Sequence, residues 1–155
     1  MINIKDKLFI DIDGVIFDSI SAFCETYSYI YQNEKGYTKP EPTKVNEWNF
    51  SDQCGLLQSN EDIEEIFSDL HFFKVVQTMP GAIEALRVLN DRYNICLCSI
   101  GTLMNISYKA KWIKSNLPFI KNTILINNDG CKMDKSIIKM SEGIFIDDNE
   151  SNLYS

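Results

Sequence analysis

The chain has 155 residues, 45% of them hydrophobic, and 15 basic against 22 acidic side chains give a net charge of −7. That length suits one ordinary domain, and that apolar content excludes an unfolded chain. The negative balance argues against a nucleic-acid or membrane-surface partner, yet leaves room for a small anionic substrate held by a metal and one or two lysines.

The first apolar run, Lys7–Ile12, suits a buried strand and runs into Asp11-Ile12-Asp13-Gly14-Val15. Next, Ile20, Phe23, Cys24, Tyr27, Ile30 and Tyr31 repeat at helical spacing. The segment from Gly36 to Gln58 holds Pro40 and Pro42 and is expected to be a loop. Ile63, Ile66, Phe67 and Leu70 mark a second helix, opened by the capping pair Ser59 and Asp62. After Pro80-Gly81, a third helix presents Ala82, Ile83, Leu86 and Leu89 on one face. A strand is expected at Asn94–Ser99 and a helix through Ile106, Ala110 and Ile113. Two more strands follow, at Thr123–Asn127 and Gly143–Asp147.

Strands alternating with helices predict an α/β fold, a parallel sheet with helices on both faces. The stretch between the first two strands is too long for a simple crossover, which needs only ~10–12 residues. It reads as an inserted helical cap over residues 18–78, leaving residues 1–17 and 79–155 as the core.

Five cysteines, Cys24, Cys54, Cys96, Cys98 and Cys131, show no C-x-x-C spacing. An odd number without that spacing predicts reduced thiols rather than a metal cluster. The N-terminus has no signal-peptide apolar core and no run is long enough to span a bilayer, so a cytoplasmic protein without a membrane partner is expected.

Ligands of open parallel sheets bind beyond the carboxyl ends of the strands. Asp11, Ser99 and Asp147 all fall at such ends. Asp11 and Asp13 start on one face of their strand, and two carboxylates so placed call for a cation or a shared proton. An oxygen-only donor set, completed by Asp147 and Asp148, suits Mg²⁺ rather than Zn²⁺. Beside a bound phosphate, one carboxylate can attack phosphorus while its neighbour passes a proton to the leaving oxygen. A hydroxyl and a lysine would hold the other phosphate oxygens.

Asp11-x-Asp13-Gly14-Val15, then Ser99, a lysine and Asp147-Asp148 together resemble the four-motif pattern of the haloacid dehalogenase (HAD) superfamily of phosphatases. The resemblance covers nearly the whole chain. It implies Asp11 as nucleophile and Asp13 as general acid/base, with Mg²⁺ held by Asp11, the Asp13 main-chain carbonyl, and Asp147 supported by Asp148. Within that superfamily, Asp11 through Asp18, Phe72-Phe73, and the run from Met79 to Leu86 resemble the 5′(3′)-deoxyribonucleotidases. So do Lys109-x-x-Trp112-Ile113, Asp134-Lys135-Ser136 and Ile146-Asp147-Asp148. The resemblance implies a nucleoside monophosphate as substrate.

Two lysines compete for the phosphate, with Lys109 favoured over Lys135. Ser99 and Ile100 would contact the phosphate, and Trp48, Phe50, Phe72 and Phe73 are candidates to stack on a nucleobase or simply to pack the cap. His71 has no nucleophile near it in sequence. Ser99-Ile100-Gly101-Thr102 stands where the family usually shows Thr-Ser-Pro, and Ser19 where it often has an aromatic. The chain ends soon after Asp148, where the family continues with another strand and helix, so a minimal version and a truncated one are both open. A HAD phosphatase for another ester, such as a sugar phosphate, and a silent HAD-like binding module remain alternatives. A homodimer also stays open.

Overall fold

The computed structural model describes residues 6–46, 48–129, 135–140 and 143–153. Cys131 and Asp134 therefore lie outside the described residues. The chain divides into two compact units, Met1–Phe17 with Thr78–Ser155, and Asp18–Gln77.

The first unit holds a parallel sheet of β1 (Lys7–Asp11), β2 (Asn94–Gly101), β3 (Asn122–Asn127) and β4 (Gly143–Ile146), in the order β3-β2-β1-β4. Central β1 and β2 are the apolar runs: Leu8, Phe9, Ile10, Ile95, Leu97 and Cys98 are buried. β2 runs two residues past its expected end, because Ile100 and Gly101 still pair with Ile126 and Asn127 of β3.

Helix α4 (Ala82–Arg92) precedes β2, and α5 (Leu103–Asn116) links it to β3. Both connections step the same way along the sheet, so right-handed crossovers put both helices on one face. From β3 to β4 the strand order steps back past β2 and β1. The described residues of that connection include a 3-10 turn, Lys135–Ile137. The strand order reverses between β1 and β4, the place where such sheets bind ligands. A short helix, α6 (Glu150–Leu153), follows β4.

Directly after β1 the chain doubles back. The Ile16 and Phe17 N–H groups both donate to the Ile12 carbonyl, at 2.9 and 2.8 Å, and the Gly14 N–H donates to the Phe17 carbonyl at 3.0 Å. Gly14 sits at φ 71°, a left-handed conformation that glycine adopts without a Cβ clash. Gly101 serves space instead: a Cβ there would lie 2.3 Å from Asn105 Oδ1.

The second unit is helical: α1 (Ser19–Tyr31), α2 (Asn60–Ser68) and α3 (Leu70–Val75). The capping box at Ser59 and Asp62 is formed. The loop between α1 and α2 carries a 3-10 turn, Pro42–Lys44. The buried face of α1 is Ala22, Phe23, Cys24, Thr26 and Tyr27, while Ile30, expected inside, is exposed.

Phe23 stacks on Phe50 at 3.7 Å between ring centroids, and Phe67 bridges Phe23, Phe50 and Phe72 at 4.9 to 5.7 Å. Phe50 and Phe72 are 1% and 0% exposed. They are therefore core residues of this unit and present no ring face to a nucleobase, which corrects that expectation for these two. Trp48 and Phe73 are half-buried at the edge of the same cluster. His71 stacks on Tyr29 at 4.0 Å, a packing role.

Candidate active site

The carboxyl ends of β1, β2 and β4 converge with α5 and the turn at Lys135, all within the first unit. β1 delivers Asp11 and the turn after it delivers Asp13. β2 delivers Ser99, buried two residues before the strand's end. Helix α5 presents Ile106, Lys109 and Ile113 on its buried face, so its apolar stripe carries a lysine inward.

Two lysines are enclosed here, Lys109 at 1% and Lys135 at 6% exposure. A buried ammonium needs partners, and Lys109 has a carboxylate and a hydroxyl in reach while Lys135 has two carboxylates. Lys109 Nζ donates to Asp13 Oδ2 and, at 2.8 Å, to Ser99 Oγ. Ser99 Oγ itself donates to Asp13 Oδ2 at 3.3 Å. Lys135 Nζ lies 2.6 Å from Asp11 Oδ1 and 2.6 Å from Asp147 Oδ2. Sequence reasoning treated the lysines as rivals. The fold uses both, one for each carboxylate of the first motif.

Ile100 follows Ser99 on β2 and, by strand alternation, directs its side chain to the opposite face of the sheet. Only its main chain can share the Ser99 side.

Carboxylate oxygens of Asp11, Asp147 and Asp148 approach within 4.8 Å of one another. Asp11 is buried and Asp148 exposed. Taken as ionised, the four aspartates and two lysines leave a formal charge of −2, which a divalent cation would balance. The donors are all oxygen, with no His or Cys among them, so the set fits Mg²⁺.

The imbalance shows in Asp11. Burial above all, and then the neighbouring Asp13 charge, push its carboxyl up to about 7 against the pull of Lys135. Burial works to lower Lys135, but Asp11 and Asp147 outweigh it and hold the ammonium above its ordinary range.

Asn152, which no motif in the sequence singles out, also touches Asp147. Its Nδ2 donates to both oxygens of Asp147, each at 3.1 Å. Only its spacing after Asp147, on the turn that begins α6, could have signalled it.

A parallel sheet with paired aspartates, a serine and buried lysines at its carboxyl edge defines a hydrolase of the HAD type, acting on phosphate monoesters. Residues 5–155 match the family described as 5′ nucleotidase, deoxy (pyrimidine), cytosolic type C protein, and the chain belongs to that family.

A 5′(3′)-deoxyribonucleotidase from Clostridium acetobutylicum is 28% identical over 155 residues, covering 96% of this chain and 76% of that protein. Among solved structures, a haloacid dehalogenase-like hydrolase from Streptococcus pneumoniae superposes with a TM-score of 0.65 at 17% identity, over 99% of this chain and 80% of the other. A HAD-type protein from Bacillus subtilis, bound to magnesium, gives 0.53 at 14% identity over 79% and 64%. Both structural likenesses concern the fold. Among the described residues, no helix is long and apolar enough to cross a membrane.

Proposed function

We propose that the protein is a Mg²⁺-dependent phosphatase of nucleoside monophosphates, deoxyribonucleotides foremost, working through an aspartyl-phosphate. The observation that carries the reading is the pairing of each motif aspartate with its own buried lysine at the sheet's switch point. Family membership and the deoxyribonucleotidase relative support the substrate class.

Asp11 is the nucleophile: a carboxylate oxygen attacks phosphorus as the bond to the nucleoside oxygen breaks. Lys135, held on Asp11 Oδ1, restrains the rotation of that carboxylate. Asp13 gives a proton to the leaving oxygen, and afterwards takes one from the water that hydrolyses the aspartyl-phosphate. Ser99 Oγ and the two ammonium groups stand ready to donate to the phosphate oxygens.

Asp11, Asp148 and Asp147 would hold Mg²⁺, with the Asp13 carbonyl as a further oxygen. Asp147 is already engaged by Lys135 and Asn152, so the larger share falls to Asp11 and Asp148. Bound there, Mg²⁺ would offset phosphate charge as a Lewis acid. Trp48 and Phe73, not the enclosed Phe50 and Phe72, are assigned to the nucleobase.

The test is phosphate release across deoxy- and ribonucleoside 5′- and 3′-monophosphates, sugar phosphates and an aryl phosphate, with and without chelator. Preference for deoxynucleotides, lost on chelation and in Asp11→Asn, is expected. Turnover of sugar phosphates alone refutes the substrate class, and substantial activity in Asp11→Asn refutes the mechanism.

A further inference from the structure

The order β3-β2-β1-β4 leaves a strand edge on each side of the sheet. β4 has four residues, and so short an edge offers little to pair with. β3 has six, Asn122-Thr123-Ile124-Leu125-Ile126-Asn127, without a charge, a proline or a glycine. An uncharged edge of that kind is a template for another strand. Among the described residues, no strand pairs with its outer side.

The Asn128 N–H donates to the Gly101 carbonyl of β2 at 3.1 Å. Main-chain groups alternate sides along a strand, so the even-numbered residues of β3 bond inward. Thr123, Leu125 and Asn127 therefore turn their N–H and C=O groups outward. Beside this edge runs an apolar groove of about 670 Å³, lined by Ala110, Ile113, Leu117, Ile120 and Leu125. Lys114 also borders it and is exposed, so its stem can cover apolar surface while its ammonium stays in water.

We propose that β3 is the contact edge for a second copy of this chain, paired antiparallel about Leu125 so that the two sheets run on as one. Only outward-turned residues can exchange hydrogen bonds, so Thr123, Leu125 and Asn127 must meet one another. Centred on Leu125, the register sets Leu125 against Leu125 and Thr123 against Asn127. Two residues further out, Lys121 of each copy stands opposite Asp129 of the other, and both side chains are exposed. Asp129 is steadied there, because its Oδ2 accepts from the Leu103 N–H at 2.9 Å. Sliding one strand by two residues either way sets both charges opposite uncharged residues, so the charge pattern selects this register.

The two-fold axis lies normal to the joined sheet and keeps each face on its own side. Helix α5 of both copies then flanks the joint on one face, and the two grooves close on each other. A strand pair alone falls short of the ~800 Å² per partner of a stable interface, and the grooves supply the apolar remainder.

Sedimentation equilibrium of the full chain, at concentrations up to ~100 μM, reads the mass directly. A dimer is expected. Thr123→Pro removes an outward N–H that β2 does not use, so it should leave the circular dichroism unchanged and make the protein monomeric. Lys121→Asp sets acidic groups opposite each other at both ends of the joint and should weaken dimerisation about tenfold or more. Adding Asp129→Asn, which keeps an oxygen for the Leu103 N–H, should recover most of that loss. The exposed Lys121 carries the test where the proline variant does not fold. A monomeric wild type would overturn the proposal, and so would a dimer indifferent to Thr123→Pro. A loss in Lys121→Asp that Asp129→Asn does not relieve would overturn the pairing about Leu125.

Discussion

Asp11→Asn should do two opposite things: end turnover and make the metal-free protein more stable at neutral pH. Asp11 has a carboxyl pushed from 3.8 to about 7 by burial and by the charge of Asp13. Between those values the folded protein keeps a proton that the unfolded chain has lost. Stability therefore falls as pH rises through the window from about 4 to about 7. About three pKa units at 1.36 kcal/mol each amount to ~4 kcal/mol lost once Asp11 is ionised.

Asparagine keeps an oxygen for Lys135 but carries no charge, so the variant escapes this loss. At pH 8 it should exceed the wild type by ~2–4 kcal/mol, a rise of roughly 5–15 °C for a chain of this size. At pH 4.5 the gap should have shrunk by several-fold, to ~1 kcal/mol or less. The assay is thermal unfolding of both proteins in chelator at half-unit steps from pH 4.5 to 8, with the difference plotted so that all other titrations cancel. Added Mg²⁺ should raise the wild type at pH 8 and shrink the gap. A difference that does not change with pH, or an asparagine variant less stable at pH 8, would refute this account of the site.

Other substitutions probe other parts of the fold. Lys135→Met strands two buried carboxylates and should cost ~3–5 kcal/mol in denaturant unfolding at pH 8; a loss below ~1 kcal/mol would mean the ion pairs are not enclosed. Gly14→Ala forces a side chain into the left-handed region and should cost ~1–2 kcal/mol, read from the urea midpoint. Phe72→Ala opens a hole in the aromatic cluster and should destabilise by ~3–5 kcal/mol. If Phe72→Ala instead left stability intact and raised KM, the ring would be a substrate contact after all.

The sheet was legible because its strands are short apolar runs that stop at polar residues. Asp11, Ser99 and Asp147 advertise the strand ends, and the strand ends are where the chemistry collects. Less was legible where a residue's fate depends on partners far along the chain. A lysine in a helix is ordinarily solvated, yet Lys109 lies on the Ile106 and Ile113 face of α5. Nothing local says that its ammonium meets Asp13, 96 residues away. The choice between Lys109 and Lys135 had no answer within the sequence for the same reason: two carboxylates at one strand end need two cations, and that need appears only when burial is known.

The aromatics failed differently. Phe50 and Phe72 lie in stretches that read as loop and helix start, where an aromatic can face a ligand or a core equally well. Rings from three separate segments, Phe23, Phe50 and the Phe67–Phe72 pair, close on one another. A helical unit of some sixty residues has a small core, in which these rings are joined by Tyr27, Ile66 and Val76. The demand for a core therefore claims the large rings first, and leaves Trp48 and Phe73 at the cluster's margin. If the proposed nucleobase role holds, Trp48→Ala and Phe73→Ala should raise KM for nucleotides with little loss of stability, whereas substitution at the centre should be read in stability; unchanged KM in both margin variants would refute that role.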